Sequence, residues 1–236
     1  MNLEQYIHTY KPSSETVALV QSTPIVLLVG ISGAGKDTVK KQLLTRSDYR
    51  DIISHTTRLP RSNNGTAEIP DIDYHFIDND QVTGMLERKE FIEVKFVHGT
   101  VYGTCTSQVK LAHDENKIAI TDVDVQGVEE YKTIAPSVVA IFILPPSYSA
   151  WRERLQKRYA TLEEFEAEWP KRRASAIDEF TRALEVPYYH FIVNDELEET
   201  VRIADEIAHK PDVFLRQDDE ARLLARDILE EIIQNN

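Results

Sequence analysis

Gly30-Ile31-Ser32-Gly33-Ala34-Gly35-Lys36-Asp37-Thr38 is the stretch on which the fold reading turns. Ahead of it runs Ile25-Val26-Leu27-Leu28-Val29, continuously apolar, the pattern of a parallel strand covered on both faces. Behind it, Asp37 to Thr45 reads as a helix. Glycines let such a turn wrap an anion with consecutive N–H groups pointing inward, and the helix N-terminus adds positive potential. Lys36 would bridge the outer phosphates of a nucleoside triphosphate. Three of the chain's eight glycines fall within these six positions, 30 to 35. One position departs from the general pattern, which places Ser or Thr directly after the lysine to hold Mg2+. Here Asp37 stands there and Thr38 follows. Asp37 either binds Mg2+, directly or through water, or caps the helix.

Outward from this loop, strand-like and helix-like segments alternate. Strands are expected at Ile52–Ser54, Asp73–Ile77, Phe91–Val97, Val101–Gly103, Ile118–Asp122, Val138–Leu144 and His190–Val193. Helices are expected at Gln81–Arg88, Ser107–His113, Val125–Lys132, Ser149–Arg158, Leu162–Leu184 (broken at Pro170) and Leu197–His209. Arg61 to Asp71 reads as a loop, and residues 1–24 as an irregular polar arm. After Lys210, Leu223, Leu224, Ile228, Leu229, Ile232 and Ile233 space an amphipathic helix. It is expected to pack on its own domain, with a dimer contact as the alternative. The alternation predicts an α/β fold around a parallel sheet.

Composition agrees. The 236 residues are 42% hydrophobic and 28% charged, ordinary for a globular chain of one to two domains. No apolar run reaches a membrane span and no signal-peptide core opens the chain, so a cytoplasmic protein without a membrane partner is expected. The single cysteine, Cys105, excludes an internal disulfide and a cysteine-based metal site. The net charge of −13 argues against a nucleic-acid partner. Basic residues are nonetheless concentrated. Residues 36–61 hold seven against three acids, and residues 151–173 hold seven against five.

Three further stretches suggest a phosphate-bearing acceptor. Ser54-His-Thr-Thr-Arg58-Leu-Pro-Arg61, with Asp73-Tyr74-His-Phe76 after it, can hold a phosphate monoester by charge-assisted bonds. Phe91-Ile-Glu93, with Tyr102-Gly-Thr104 downstream, offers a carboxylate for a guanine edge, a hydroxyl for the base oxygen and a tyrosine for a phosphate. Asp122-Val-Asp124-Val-Gln-Gly127 ends a strand, at the carboxyl edge where open α/β sheets bind ligands. His55, His75 and His98 form no recognisable ligand set, and no structural metal is expected.

Taken together, and in this order, the motifs resemble guanylate kinases from about Ile25 to about Ala208. The set is the phosphate loop, S-x-T-T-R-x-P-R, D-Y-x-F, F-I-E with Y-G-T, D-V-D-V-Q-G, I-F-I-L-P-P-S and I-V-N-D. The resemblance implies a P-loop three-layer fold with a parallel sheet core, a small mixed α/β GMP-binding region over about 55–105 and a helical lid over about 152–173. Residues 1–24 would be an N-terminal arm and 209–236 a helical extension. It implies ATP with Mg2+, and GMP with dGMP as a further candidate, in a monomer or homodimer.

Carried over by position, Gly30, Ser32, Gly33, Ala34, Gly35, Lys36, Asp37 and Thr38 would hold ATP, and Asn194 would lie near the adenine. Ser54, Arg58, Arg61, Tyr74 and Tyr102 would hold the GMP phosphate. Glu93, Thr104 and Asp124 would read or support the guanine, and Asp122 would sit near Mg2+ and the phosphates. Arg154, Arg158 and Arg172 resemble lid arginines that act with Lys36 in catalysis. The loop between Arg61 and Tyr74 is longer than the family's, so Glu68 stands where the family's acidic residue is expected, and Val94-Lys95 replaces an aromatic-small pair. The Lys36-Asp37 pair and the longer loop motivate one rival, a related kinase for another phosphate ester such as a sugar bisphosphate, against which Glu93 with Thr104 argues; a second, from another class, is a non-catalytic interaction module. The intact loop argues against the module.

Overall fold

The computed structural model describes residues 2–63, 66–97, 99–212 and 216–235, with the side chains of 62, 63, 66, 216 and 217 outside that description. His98, and positions 64 and 65 of the loop between Arg61 and Tyr74, lie outside the described residues. The chain forms two compact units. One gathers residues 1–25, 47–121 and 130–138, and the other 26–46, 122–129 and 139–236.

In the second unit, Val26–Val29 of the strand Ile25–Val29 pair in parallel with Val139–Phe142 of the strand Val139–Leu144. That strand pairs in parallel with Tyr189–Val193. Every residue of the first two strands is buried, which is why both read as unbroken apolar runs. Helices Lys36–Leu43, Tyr148–Gln156, Leu162–Glu185, Leu197–His209 and Arg216–Gln234 complete the unit.

The helix Leu162–Glu185 runs straight through Pro170, so the expected break is absent. Phe165 and Trp169 are buried before the proline, and Ala176, Phe180 and Ala183 after it. Trp169 lies against Trp151 and Phe165 at 5.3 and 5.6 Å between ring centroids. This burial on both sides outweighs the roughly 3 kcal/mol a helical proline costs.

The terminal helix Arg216–Gln234 packs on Leu162–Glu185 and on the strand Tyr189–Val193. Its buried stripe is Ala221, Ala225, Ile228 and Ile232, whereas Leu223 is 58% and Ile233 52% exposed. The seam therefore keeps Ile228 and Ile232 of the expected apolar face and continues through Ala221 and Ala225 instead of its leucines. Arg173 donates to the carbonyls of Ile232 and Ile233, both at 2.8 Å, which satisfies the end of that helix.

In the first unit, Tyr49–Asp51 pairs in parallel with the strand Ile118–Asp122 from Ile118 to Ile120. A four-stranded sheet runs in the order His75–Phe76, His55–Thr56, Thr100–Cys105, Phe91–Val97. Ile52–Ser54 is not a strand. Its Ile52 N–H still reaches the carbonyl of Ile120 at 2.9 Å, and the Ser54 carbonyl takes the N–H of His75 at 2.9 Å. The segment is where the chain passes from one sheet to the other. Part of the expected loop is a short antiparallel pair, Ser62–Asn63 with Thr66–Ala67.

The first residues are not an irregular arm. Asn2 and Gln5 form a reciprocal capping box at the start of helix Leu3–Thr9, and Ser13 caps helix Ser14–Ser22. Ile7 is buried with Val82, Leu86, Phe91, Val94, Val101 and Cys105. The Tyr10 hydroxyl donates to the Phe91 carbonyl at 2.7 Å and accepts the Phe91 N–H at 3.1 Å. Short helices too polar to stand alone are held by these few tertiary anchors. No helix among the described residues is long and apolar enough to cross a membrane.

Candidate active site

The phosphate loop leaves the strand Ile25–Val29 and enters helix Lys36–Leu43 at Gly35, its N-cap. Gly30 and Gly35 have φ of +134° and +97°, and a Cβ at either would collide with the Ile143 carbonyl or the Asn194 amide. Only glycine serves at both. The Lys36 ammonium donates to the Gly30 carbonyl across the turn. Asp37 and Thr38 are exposed in the first helical turn. The N-cap is Gly35, so Asp37 is not the cap, and its carboxylate interacts favourably with the helix N-terminus.

Val123 N–H bonds the Leu28 carbonyl at 3.1 Å, which sets Asp122 at the carboxyl end of the loop's own strand. Partial burial would raise the Asp122 carboxyl, but Lys40 at 3.0 Å and Lys36 beyond it prevail and hold it below its ordinary range. Lys40 was not singled out from the sequence. Its signal was its place one turn after Lys36, on the same helix face. One oxygen of Asp124 accepts the Gly127 N–H at 2.7 Å, a capping bond at the start of helix Val125–Ile134.

The three arginines expected in a lid divide. Arg158 reaches the Ser32 hydroxyl at 3.3 Å, and Arg154 donates to the Asn194 carbonyl at 3.0 Å. Arg172 instead donates to the Tyr159 hydroxyl at 2.9 Å. Two further residues escaped the sequence reading. Trp151, 1% exposed, donates its indole N–H to the Ser32 carbonyl at 2.8 Å. The Glu179 carboxyl is pushed up to about 7, by burial first and by Asp124 and Asp178 besides, against Lys36 and a hydrogen bond from Ser175.

The other unit carries the residues expected at the acceptor side. Arg58 forms a two-pronged ion pair with Glu68, at 2.7 and 2.9 Å, and Glu68 also accepts the Arg61 N–H at 2.7 Å. The Arg58 guanidinium lies 5.2 Å from the Tyr74 ring centroid, and Tyr74 lies 6.3 Å from Tyr102. Arg58 Nε is buried without a hydrogen-bond partner among the described residues. Such a donor suits an arriving phosphate oxygen. Ser54 precedes the strand His55–Thr56, and Arg61 is exposed.

Glu93 and Thr104 face each other across the antiparallel pair, and the Thr104 hydroxyl donates to the Glu93 carboxylate at 2.7 Å. Thr104 is fully buried, so it orients Glu93. Tyr131, also fully buried and missed in the sequence, raises its phenol pKa through burial and the nearby Glu93 charge. Cys105 is buried, and burial pushes its thiol well above the usual value, so it stays protonated.

A family model described as Guanylate kinase matches residues 21–210. The chain belongs to the guanylate kinase family. Guanylate kinase 1 of Oryza sativa subsp. japonica is 34% identical over 176 residues, 73% of this chain but only 44% of that protein. The Guanylate kinase of Pseudomonas fluorescens (strain Pf0-1) is 36% identical over 166 residues, 70% of this chain and 76% of that one. The crystal structure of guanylate kinase from Anaplasma phagocytophilum superposes with a TM-score of 0.59 at 26% identity, covering 82% of this chain and 88% of that one. The P-loop fold and the mixed α/β architecture are those of guanylate kinases. The terminal helix Arg216–Gln234 lies beyond the family match.

Proposed function

We propose that this protein transfers the terminal phosphoryl group of ATP to GMP, giving ADP and GDP. The observation that carries the reading is the placement of two recognition groups on one strand. Tyr102 and Thr104 are two residues apart on Thr100–Cys105, hence on the same face, about 7 Å along the strand. Tyr102 belongs to the Arg58–Tyr74 cluster, and Thr104 orients Glu93. An anion clamp at one end and a carboxylate at the other match a nucleoside monophosphate. Its base must donate two N–H groups to one carboxylate, as guanine does.

The acceptor phosphate oxygen is already anionic at neutral pH, so the attack needs no general base. The protein's part is positioning and charge neutralisation. The loop N–H groups and Lys36 would hold the ATP phosphates. Arg58, Arg61, Ser54, Tyr74 and Tyr102 would hold GMP in line, and Arg154, Arg158 and Arg172 would stabilise charge on the group in transit.

Mg2+ requires hard oxygen donors, and the residues fit it. Asp37 and Thr38 are exposed in the first helical turn, and Asp122 is kept ionised beside Lys40. When bound with ATP, Mg2+ would neutralise charge on the outer phosphates. Closing of the arginine-bearing helices would keep water from the phosphoryl group.

A coupled assay for ADP release, with MgATP and GMP, AMP, CMP, UMP or no acceptor, tests the reading. ADP formation that requires GMP is expected. ATP binding without stimulation by GMP would overturn it and favour another phosphate ester.

A further inference from the structure

The resemblance sets Asn194 beside the adenine, but the structure spends its side chain elsewhere. Asn194 follows the strand Tyr189–Val193 and is 7% exposed. Its N–H donates to the Leu144 carbonyl at 2.7 Å, which fixes it to the neighbouring strand. Its carbonyl takes Arg154 at 3.0 Å. Its Nδ2 donates to the Ala34 carbonyl, inside the phosphate loop, at 2.8 Å. Its Oδ1 shares the hydroxyl proton of Thr200, at 3.3 Å, with the backbone carbonyls of Val193 and Glu196. The approach to the loop is possible only because Gly35 has no Cβ.

A trans peptide is planar, with its C=O and N–H pointing in opposite directions. Holding the Ala34 carbonyl therefore also aims the Gly35 N–H. The same argument applies two peptides earlier along the turn. The Trp151 indole N–H holds the Ser32 carbonyl at 2.8 Å and so aims the Gly33 N–H. Between the two, the Ala34 N–H closes the turn on the Ile31 carbonyl at 3.0 Å. Two buried side chains, from a strand end and from helix Tyr148–Gln156, thus grip alternate peptides of the loop from outside it.

We propose that Asn194 and Trp151 are positioning residues for phosphate binding, acting through the Ala34–Gly35 and Ser32–Gly33 peptides, and that Asn194 does not select the adenine base. They pre-set loop N–H groups that would otherwise have to be ordered by the ligand, so their contribution falls on the polyphosphate. The proposal rests on the ATP-binding part of the function given above, and it deepens that part.

The test is calorimetric binding of inorganic tripolyphosphate and of ATP to the full chain, with Asn194→Ala and Trp151→Phe variants. Phenylalanine removes the N–H donor and keeps an aromatic ring, though a smaller one, beside Trp169. Each variant is expected to weaken both ligands by the same factor, about tenfold, with GMP affinity unchanged. Loss of ATP affinity alone in Asn194→Ala would show a base contact and overturn the proposal. A lowered melting temperature with unchanged affinity for both ligands would overturn it as well, since that is what a merely structural role gives. Should Asn194→Ala fail to fold, Trp151→Phe and Thr200→Val decide by the same ratio. Absence of GMP-dependent turnover would defeat the kinase reading while leaving the tripolyphosphate comparison intact.

Discussion

Glu68 clasps Arg58 with both carboxylate oxygens, at 2.7 and 2.9 Å, ten residues along the chain and in the loop between Arg61 and Tyr74. The Arg58 guanidinium lies over the Tyr74 ring, and the Glu68 carboxyl is held below its usual range by Arg58 first. Glu68→Gln keeps the size but removes the charge that orients the guanidinium. It is expected to raise the KM for GMP about tenfold and leave the KM for ATP unchanged, read by steady-state kinetics with each substrate varied. An unchanged KM for GMP would remove Glu68 from the acceptor site.

Lys36 touches only the Gly30 carbonyl among the hydrogen bonds described for its side chain. Lys36→Ala is therefore expected to keep the melting temperature within a degree or so while lowering kcat by about 10²–10³-fold. Near-normal turnover would show that another cation neutralises the transferring group.

Glu179 gives stability a pH dependence of known sign. Its carboxyl is raised from 4.5 to about 7, chiefly by burial. Between those values the folded protein holds a proton that the unfolded chain has lost. Stability from this group is therefore complete below pH 4.5 and falls as pH rises through 7. Glu179→Gln should be more stable than the parent at pH 8 by about 2 kcal/mol and no more stable at pH 4.5. Thermal melts of both proteins across that range check this, and parallel profiles would contradict it.

His55 has the opposite sign. Burial first, and His75 second, lower its imidazole from 6.5 to about 4, with Glu90 and Asp71 opposing. Its ring lies 4.5 Å from that of His75. The unfolded chain takes up a proton between those values and the folded one does not, so stability is lost as pH falls from 6.5 to 4. His55→Asn should lack about 2 kcal/mol of that loss, and proton NMR should show the His55 ring still neutral at pH 5.

Arg222, on the terminal helix, donates to the Val186 and Tyr189 carbonyls, each at 3.2 Å, and lies 4.5 Å from the Phe191 ring centroid. Arg222→Ala should cost about 2 kcal/mol by chemical denaturation, and Arg222→Lys should not restore it, because an ammonium cannot fork to two carbonyls and stack as well.

The sequence by itself determined the parallel strands, the phosphate loop and the family. Apolar runs such as Ile25–Val29 have no interpretation other than burial on both faces, and the glycine spacing around Lys36 has few others. Phe91–Val97, Ile118–Asp122 and Leu197–His209 fall where their periodicity puts them. The acceptor-side motifs stand in the sequence as an ordered set, and the structure brings Arg58 to Tyr74 and Thr104 to Glu93. What stayed hidden depends on partners far away in the chain. Helix Leu162–Glu185 passes Pro170 because of aromatic packing that local propensity does not register. The first residues are helical because Ile7 and Tyr10 find Phe91. Asn194 meets Ala34 across 160 residues, and Trp151 meets Ser32 across 119. A motif marks which residues a ligand needs. Only the tertiary structure decides which buried groups hold them still, because that depends on distances that sequence separation does not encode.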